Sequence, residues 1–252
     1  MSDLVLLNLR WAMERPGCPA CWALVRRERR YLEALVHENV NDPHVRRALL
    51  DTFGFCPRHT WLLTEIEEAM YGDKSGSSIL LEAFIDEWRR RLTRYLERTD
   101  RSRFTHELTP GNRCRACDST THGSSLELAD FIRALDAGDQ RLEREYEASD
   151  GFCLVHIALL FKAVPDESPA RRRVVERALR TADALQAQLR EYDRLRAWDK
   201  RYEPRGAEQN AWRRAAAFFS GIYEPRGVPG GEAVWPQEDA SAAVDAPTRQ
   251  GV

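Results

Sequence analysis

Cys18-Pro19-Ala20-Cys21 and Gly54-Phe55-Cys56-Pro57-Arg58-His59 recur farther along the chain as Cys114-Arg115-Ala116-Cys117 and Gly151-Phe152-Cys153-Leu154-Val155-His156. These segments take up all six cysteines, and each copy closes with a histidine. The register is kept almost perfectly. Cys114 follows Cys18 by 96 residues and His156 follows His59 by 97. Three thiolates and one imidazole per copy are the ligand set of a closed tetrahedral zinc site. The spacing predicts one site from Cys18, Cys21, Cys56 and His59, and a second from Cys114, Cys117, Cys153 and His156.

Each residue type has a reason to be where it is. A Cys-x-x-Cys turn lets two sulfurs converge on one ion while nearby backbone N–H groups point at them. Cys56 and His59, like Cys153 and His156, lie three apart, one turn along the same face of a helix start. The roughly 35 residues between knuckle and histidine read as two helices that bring the parts of a site together. Metal binding would then become folding energy. An iron–sulfur cluster is the alternative occupant of such ligands, and metal-free redox thiols are another. A thioredoxin-like dithiol is disfavoured because no βαβ pattern surrounds either motif. Haem attachment fails, since Trp22 and Asp118 stand where its histidine would be. Four protein ligands leave no open position for catalysis at zinc. His37, His44, His106 and His122 form no second metal pattern and read as surface or helix-packing residues.

Between the motifs the chain reads as all-α, with no strand-like alternation bounded by turns. A short helix from Leu4 to Met13 stops at Pro16-Gly17. A helix from Cys21 to about His37 follows. Asp42 caps the next, with Pro43 at its first position and Gly54 at its end. In the second copy Ser124 and Glu127 have capping-box spacing, Gly138-Asp139 punctuates, and Gly151 precedes Phe-Cys. Each copy then ends in a longer helix. Ser77 or Ser78 opens one, bearing Leu81, Phe84, Ile85, Trp88, Leu92 and Tyr95. Ser168-Pro169 opens the other, with Ala178, Ala182, Leu185, Leu189 and Tyr192 at seam spacing. The expectation is that these two helices pack on each other, a homodimer seam being the alternative. The domains predicted are therefore a first repeat over 1–100, a second over 101–200, an arm with a short helix over 201–226, and a disordered tail over 227–252. Tyr202-Glu203-Pro204-Arg205-Gly206 recurs as Tyr223-Glu224-Pro225-Arg226-Gly227 around the short helix.

Composition narrows the function classes. The 252 residues are 43% hydrophobic and 31% charged with a formal net charge of −2, which gives no general pull toward nucleic acids or anionic membranes. Arginine runs at Arg26-Arg27-Glu28-Arg29-Arg30, Arg89-Arg90-Arg91 and Arg171-Arg172-Arg173 are interleaved or flanked with acids, so salt-bridged helix faces are expected over nucleic-acid contact. No segment has the length of a membrane span, and the short apolar opening lacks the basic start of a signal peptide. The cytoplasm is the expected compartment, where paired cysteines more often bind metal than form structural disulfides.

The arrangement resembles a bacterial family of unknown function carrying paired Cys-Pro-x-Cys and Gly-Phe-Cys-x-x-His motifs. The likeness spans about residues 10 to 221 and takes in Trp212-Arg213-Arg214-Ala215 and the Phe219-Ser220-Gly221 close. The second knuckle departs from it, having Arg115 where the first has Pro19. The resemblance implies the metal sites and no activity. The reading of the chain is an all-helical interaction or regulatory module rather than an enzyme. Two Zn²⁺ ions staple it, and its partner is an unidentified protein. An iron–sulfur or thiol-based redox or metal-responsive protein and a nucleic-acid binder are the alternatives.

Overall fold

Proline starts four of the helices. Pro19, Pro43, Pro57 and Pro169 occupy first-turn positions, where the missing N–H costs nothing and the fixed φ suits the helix. The computed structural model of the chain describes residues 2–52, 54–97, 114–165 and 167–222. Among them lie ten α-helices and no strand: α1 Ser2–Met13, α2 Pro19–Ala34, α3 Pro43–Asp51, α4 Pro57–Tyr71, α5 Ser75–Glu97, α6 Arg115–Asp136, α7 Gln140–Ala148, α8 Leu154–Ala163, α9 Pro169–Leu195 and α10 Ala211–Ser220. The expected tail, the second pentapeptide and His106 lie outside the described residues. None of the described helices is long and apolar enough to cross a membrane.

Several local expectations hold. Asp42 Oδ1 accepts hydrogen bonds from the N–H groups of His44 and Val45 at 2.7 and 3.0 Å, and Asp139 accepts from Leu142 N–H at 2.9 Å. Gly54 ends the α3 segment with φ +79° and its N–H on Leu49 O. A Cβ at Gly54 would lie 2.8 Å from the Phe84 ring, so this glycine also admits the close approach of α5. The predicted helix from Cys21 is longer at both ends, since α2 begins at Pro19 and continues through a π turn, Leu35–Asn39. Helix α5 opens at Ser75, ahead of the expected Ser77 or Ser78, and both long helices are held at their starts from elsewhere in the fold. Buried Glu67 of α4 accepts from Gly76 and Ser77 N–H at 2.6 and 2.7 Å, and Asp136 of α6 accepts from Ala170 N–H and the Ser168 hydroxyl at 2.9 and 2.6 Å. Both carboxylates offset the positive helix end.

Two expectations are corrected. Ser124 and Glu127 cap nothing, because α6 runs unbroken from Arg115 through both of them. They face α2 instead: Arg27 donates to Ser124 Oγ at 3.0 Å and to Glu127 Oε2 at 2.9 Å. Gly123 makes the crossing possible, as a Cβ there would sit 2.7 Å from Arg27 Nε. The long helices do not pack along each other, either. Helix α5 lies on α3 and α4, whereas α9 lies on α6 and on α10 of the C-terminal arm. The seam residue Leu185 is buried on that side, while Ile85 of α5 stays 68% exposed.

The centre of the described structure is the pair α2 and α6, the most extensively packed of the described helices. One core joins Cys18, Cys21, Trp22 and Ala23 at the start of α2 to Leu128, Phe131, Ile132 and Leu135 toward the end of α6. The other joins Leu32, Leu35 and Val36 at the end of α2 to Cys114 and Ala116 at the start of α6. The two helices are therefore antiparallel, and each delivers its knuckle to the far end of the other. In the first core Phe131, Tyr146 and Phe152 pack edge-to-face or tilted, with ring centres 5.0 to 5.1 Å apart.

Candidate metal centres

Four helix starts converge in pairs. Cys18, Cys56, Cys114 and Cys153 are the N-cap residues of α2, α4, α6 and α8, and none uses its side chain to cap its own helix. Each sulfur thus sits where unpaired N–H groups and the helix dipole favour a thiolate. Cys21 and Cys117 follow on the first turns of α2 and α6, and His59 and His156 on the first turns of α4 and α8.

The eight residues form two groups that could each hold a metal ion, and the groups cross between the halves of the chain. Cys18 and Cys21 meet Cys153 and His156; Cys114 and Cys117 meet Cys56 and His59. The expectation that each site closes within its own half is overturned. Helix length explains it. From Pro19 through Asn39 the chain travels on the order of 30 Å, and the nine residues of α3 return only about 13 Å. Helices α6 and α7 have the same mismatch, with 22 residues out and nine back. Cys56 and Cys153 therefore stop well short of their own knuckles. Because α2 and α6 are antiparallel, the other half's knuckle is waiting there.

The spacing within each group is that of a single tetrahedral ion. Metal–sulfur bonds of about 2.3 Å and metal–nitrogen bonds of about 2.0 Å give tetrahedral edges of about 3.8 Å between sulfurs and about 3.5 Å between sulfur and nitrogen. In the first group Cys21 Sγ is 3.8 Å from Cys153 Sγ, and His156 Nδ1 lies 3.6, 3.4 and 3.2 Å from the sulfurs of Cys18, Cys21 and Cys153. In the second, Cys56 Sγ is 3.8 Å from Cys117 Sγ, and His59 Nδ1 lies 3.2, 3.4 and 3.3 Å from Cys56, Cys114 and Cys117. All six cysteines are free thiols, since a disulfide would need sulfurs about 2.05 Å apart.

Left to protons alone, these groups conflict. Burial and the neighbouring sulfurs of Cys153 and Cys21 push the Cys18 thiol well above its ordinary range. Burial, Cys114 and Cys56 carry Cys117 up to about 12. Burial also opposes ionisation of Cys114, but His59 and the backbone N–H groups of Cys56 and Cys117 outweigh it and hold it down at about 6. Burial disfavours charge on His59, yet Cys114, Glu28 and Cys56 raise it to about 10. Three adjacent sulfurs cannot all ionise unless a cation lies among them, and a divalent ion fits that donor set.

The two groups differ in their surroundings. His59 Nε2 stands 3.3 Å from Glu28 Oε1, close enough for charge pairing though not aligned as a hydrogen bond. Glu28 is 2% exposed and is held by a two-pronged bond from Arg58 at 2.8 and 2.6 Å. A carboxylate behind the ligating imidazole fixes its orientation and raises its basicity. The first group is closed by the last two described residues, Gly221 and Ile222, instead. Ile222 N–H donates to Cys21 Sγ at 3.5 Å, and a Cβ on Gly221 would stand 3.0 Å from that sulfur. Neither Glu28 nor Gly221 was identified from sequence as part of a site. Gly221 did fall in the Phe-Ser-Gly close, whereas Glu28 was hidden in an arginine run. In the runs, Arg29 pairs with Glu33, Arg90 with Asp86 and Glu87, Arg172 with Glu176 and Arg173 with Glu143.

A family model described as a family of unknown function (DUF6062) matches residues 7–223. The chain belongs to that family. No curated protein and no solved structure matches it.

Proposed function

We propose that this member of the DUF6062 family is a zinc-stapled helical module that serves interaction or regulation, with one Zn²⁺ held by Cys18, Cys21, Cys153 and His156 and another by Cys56, His59, Cys114 and Cys117. One observation carries the reading: in each group four ligand atoms already fill the tetrahedron, so the ion would tie elements together rather than activate water. The 3.8 Å sulfur separations suit one ion. A multi-iron cluster would interpose several irons and sulfides and spread its ligands farther apart, which supports zinc over iron–sulfur chemistry. The matching order of knuckle helix, short helix, Gly-Phe-Cys helix and long helix supports a duplicated unit over 1–100 and 101–200. Within the arm proposed over 201–226, the described part carries α10, which lies on α9.

For an interaction surface, Trp198 and Tyr202 are 78% and 85% exposed, with the Arg201 guanidinium 4.2 and 4.4 Å from their rings. Tryptophan, tyrosine and arginine are the residues most enriched at protein-binding hot spots. A cytoplasmic protein partner fits this surface better than a nucleic acid. Metal analysis and the visible spectrum of protein purified without oxygen or chelator test the proposal. Two zinc ions per chain and no colour are expected. Iron with acid-labile sulfide, or metal-free reduced thiols, would overturn it.

A further inference from the structure

Beside the first metal group lies a cavity of about 170 Å³ that the stapling role does not use. Cys18 and Cys153 form one wall, and α9 and α10 form the others. An apolar cavity of about 150 Å³ is large enough to hold benzene. Leu185, Ala217 and Phe218 give this one an apolar side, and Arg177, Arg180 and Arg214 line it against the single carboxylate of Asp150. A small pocket with an apolar body and a few placed polar groups is the usual form of a small-molecule site.

Two of the arginines here, Arg177 and Arg214, hydrogen-bond to neutral acceptors, unlike those of the surface runs. Arg180 pairs with Glu147 at 2.5 Å, outside the cavity lining. Arg177 donates to Thr181 Oγ1 at 2.7 Å and to the Ser149 carbonyl; its Nε is buried without a hydrogen-bond acceptor, with Glu147 4.0 Å away. Among the described residues Arg214 meets neutral acceptors alone, Gln188 Oε1 and Ala207 O. Asp150 is engaged by Gly17 N–H at 2.6 Å. A half-buried guanidinium on neutral acceptors keeps its charge available to a planar anionic head, which its fork of donors suits.

We propose that this cavity binds a small organic anion, its carboxylate or phosphate head on Arg214 and Arg177 and its apolar body on Leu185, Ala217 and Phe218. Binding there would couple α9 and α10 to the first metal group through shared walls. The competing account is that the arginines merely offset the charge of the neighbouring thiolates.

The test is calorimetric titration of the full-length, metal-loaded chain at low salt with benzoate, phenyl phosphate and benzyl alcohol. Saturable one-to-one binding is expected for at least one of the anions, and none for the neutral alcohol. The stronger anion identifies the head group. Arg214→Gln should weaken it tenfold or more, and Ala217→Leu should abolish it by filling the cavity, with metal content unchanged in both. If Arg214→Gln fails to fold, Arg180→Gln on the exposed rim replaces it, with a weakening of threefold or more expected. No saturable binding of either anion would overturn the proposal, as would equal binding by wild type and the Ala217→Leu protein. Loss of first-site metal in Arg214→Gln with unchanged anion affinity would establish the charge-offset account instead.

Discussion

Replacing Cys56 and Cys117 together by serine separates the crossed arrangement from one in which each half closes on itself. Their sulfurs are 3.8 Å apart in one group, so the double variant disables a single site and should keep one metal ion per chain. Were the sites closed within halves, the two changes would strike different sites and no fully liganded site would remain. The pairing Cys18→Ser with Cys56→Ser gives the reverse pattern, because those residues lie in different groups here but would share a site closed within the first half. The energetic consequence follows from the loops that the proposed ions would close. A staple between Cys56 and Cys117 spans 61 residues and one between Cys21 and Cys153 spans 132. Treated as cross-links, these restrict the unfolded chain by about 4 and about 5 kcal/mol respectively. Metal content by mass spectrometry and urea unfolding are the measurements. The first double variant should hold one ion and lose about 4 kcal/mol; loss of both ions, or retention of both, would refute the crossed assignment.

Other consequences are more local. Glu28→Gln should weaken metal binding 10- to 100-fold at the Cys56 group and leave the Cys18 group unchanged, read by chelator competition. Gly221→Ala should cost about 1–3 kcal/mol, since φ +84° with ψ −179° is a conformation essentially reserved for glycine and the added Cβ would press on Cys21 Sγ; unchanged unfolding would contradict this. Glu67→Ala strands the N–H groups of Gly76 and Ser77 and should destabilise the chain by about 1–3 kcal/mol, with faster amide exchange at the start of α5. Fragments 1–97 and 114–252 made separately should each lack a complete ligand set. Mixed with zinc they should form one complex with two ions, and two independently metal-loaded fragments would contradict the geometry.

Which residues gather was legible because it lies in residue identity: Cys18, Cys21, Cys56, His59 and their counterparts are named by spacing alone. Their grouping was not, because spacing along the chain does not encode how far a helix carries its end. The lengths of α2 and α3 could have shown that the return leg is too short, but the π turn after Ala34 lengthens the outward leg without any proline or glycine to mark it. The capping-box reading at Ser124 failed for a related reason. Ser-x-x-Glu can begin a helix or lie within one, and only the approach of Arg27 from α2 shows that these residues serve a crossing. The helix starts at Pro43 and Pro169 were read correctly because proline acts locally, on its own φ and its own missing N–H. The packing of α9 on α10 rather than α5 depends on the arm folding back, which no local signal records.

On the proposed metal-stapled reading, the crossed groups also set an order of events during synthesis. Cys18 and Cys21 are made early, yet their site needs a cysteine 132 residues downstream of Cys21. At 5–20 residues per second, their thiols wait roughly 7–26 s for a partner. Throughout that interval a nascent first half presents soft ligands without the groups that would close around an ion. Such thiols are open to oxidation or to the wrong metal. The second group completes first, when Cys117 emerges, and the first group last. A chain truncated before Cys153 would therefore carry one finished staple and one unprotected pair of cysteines.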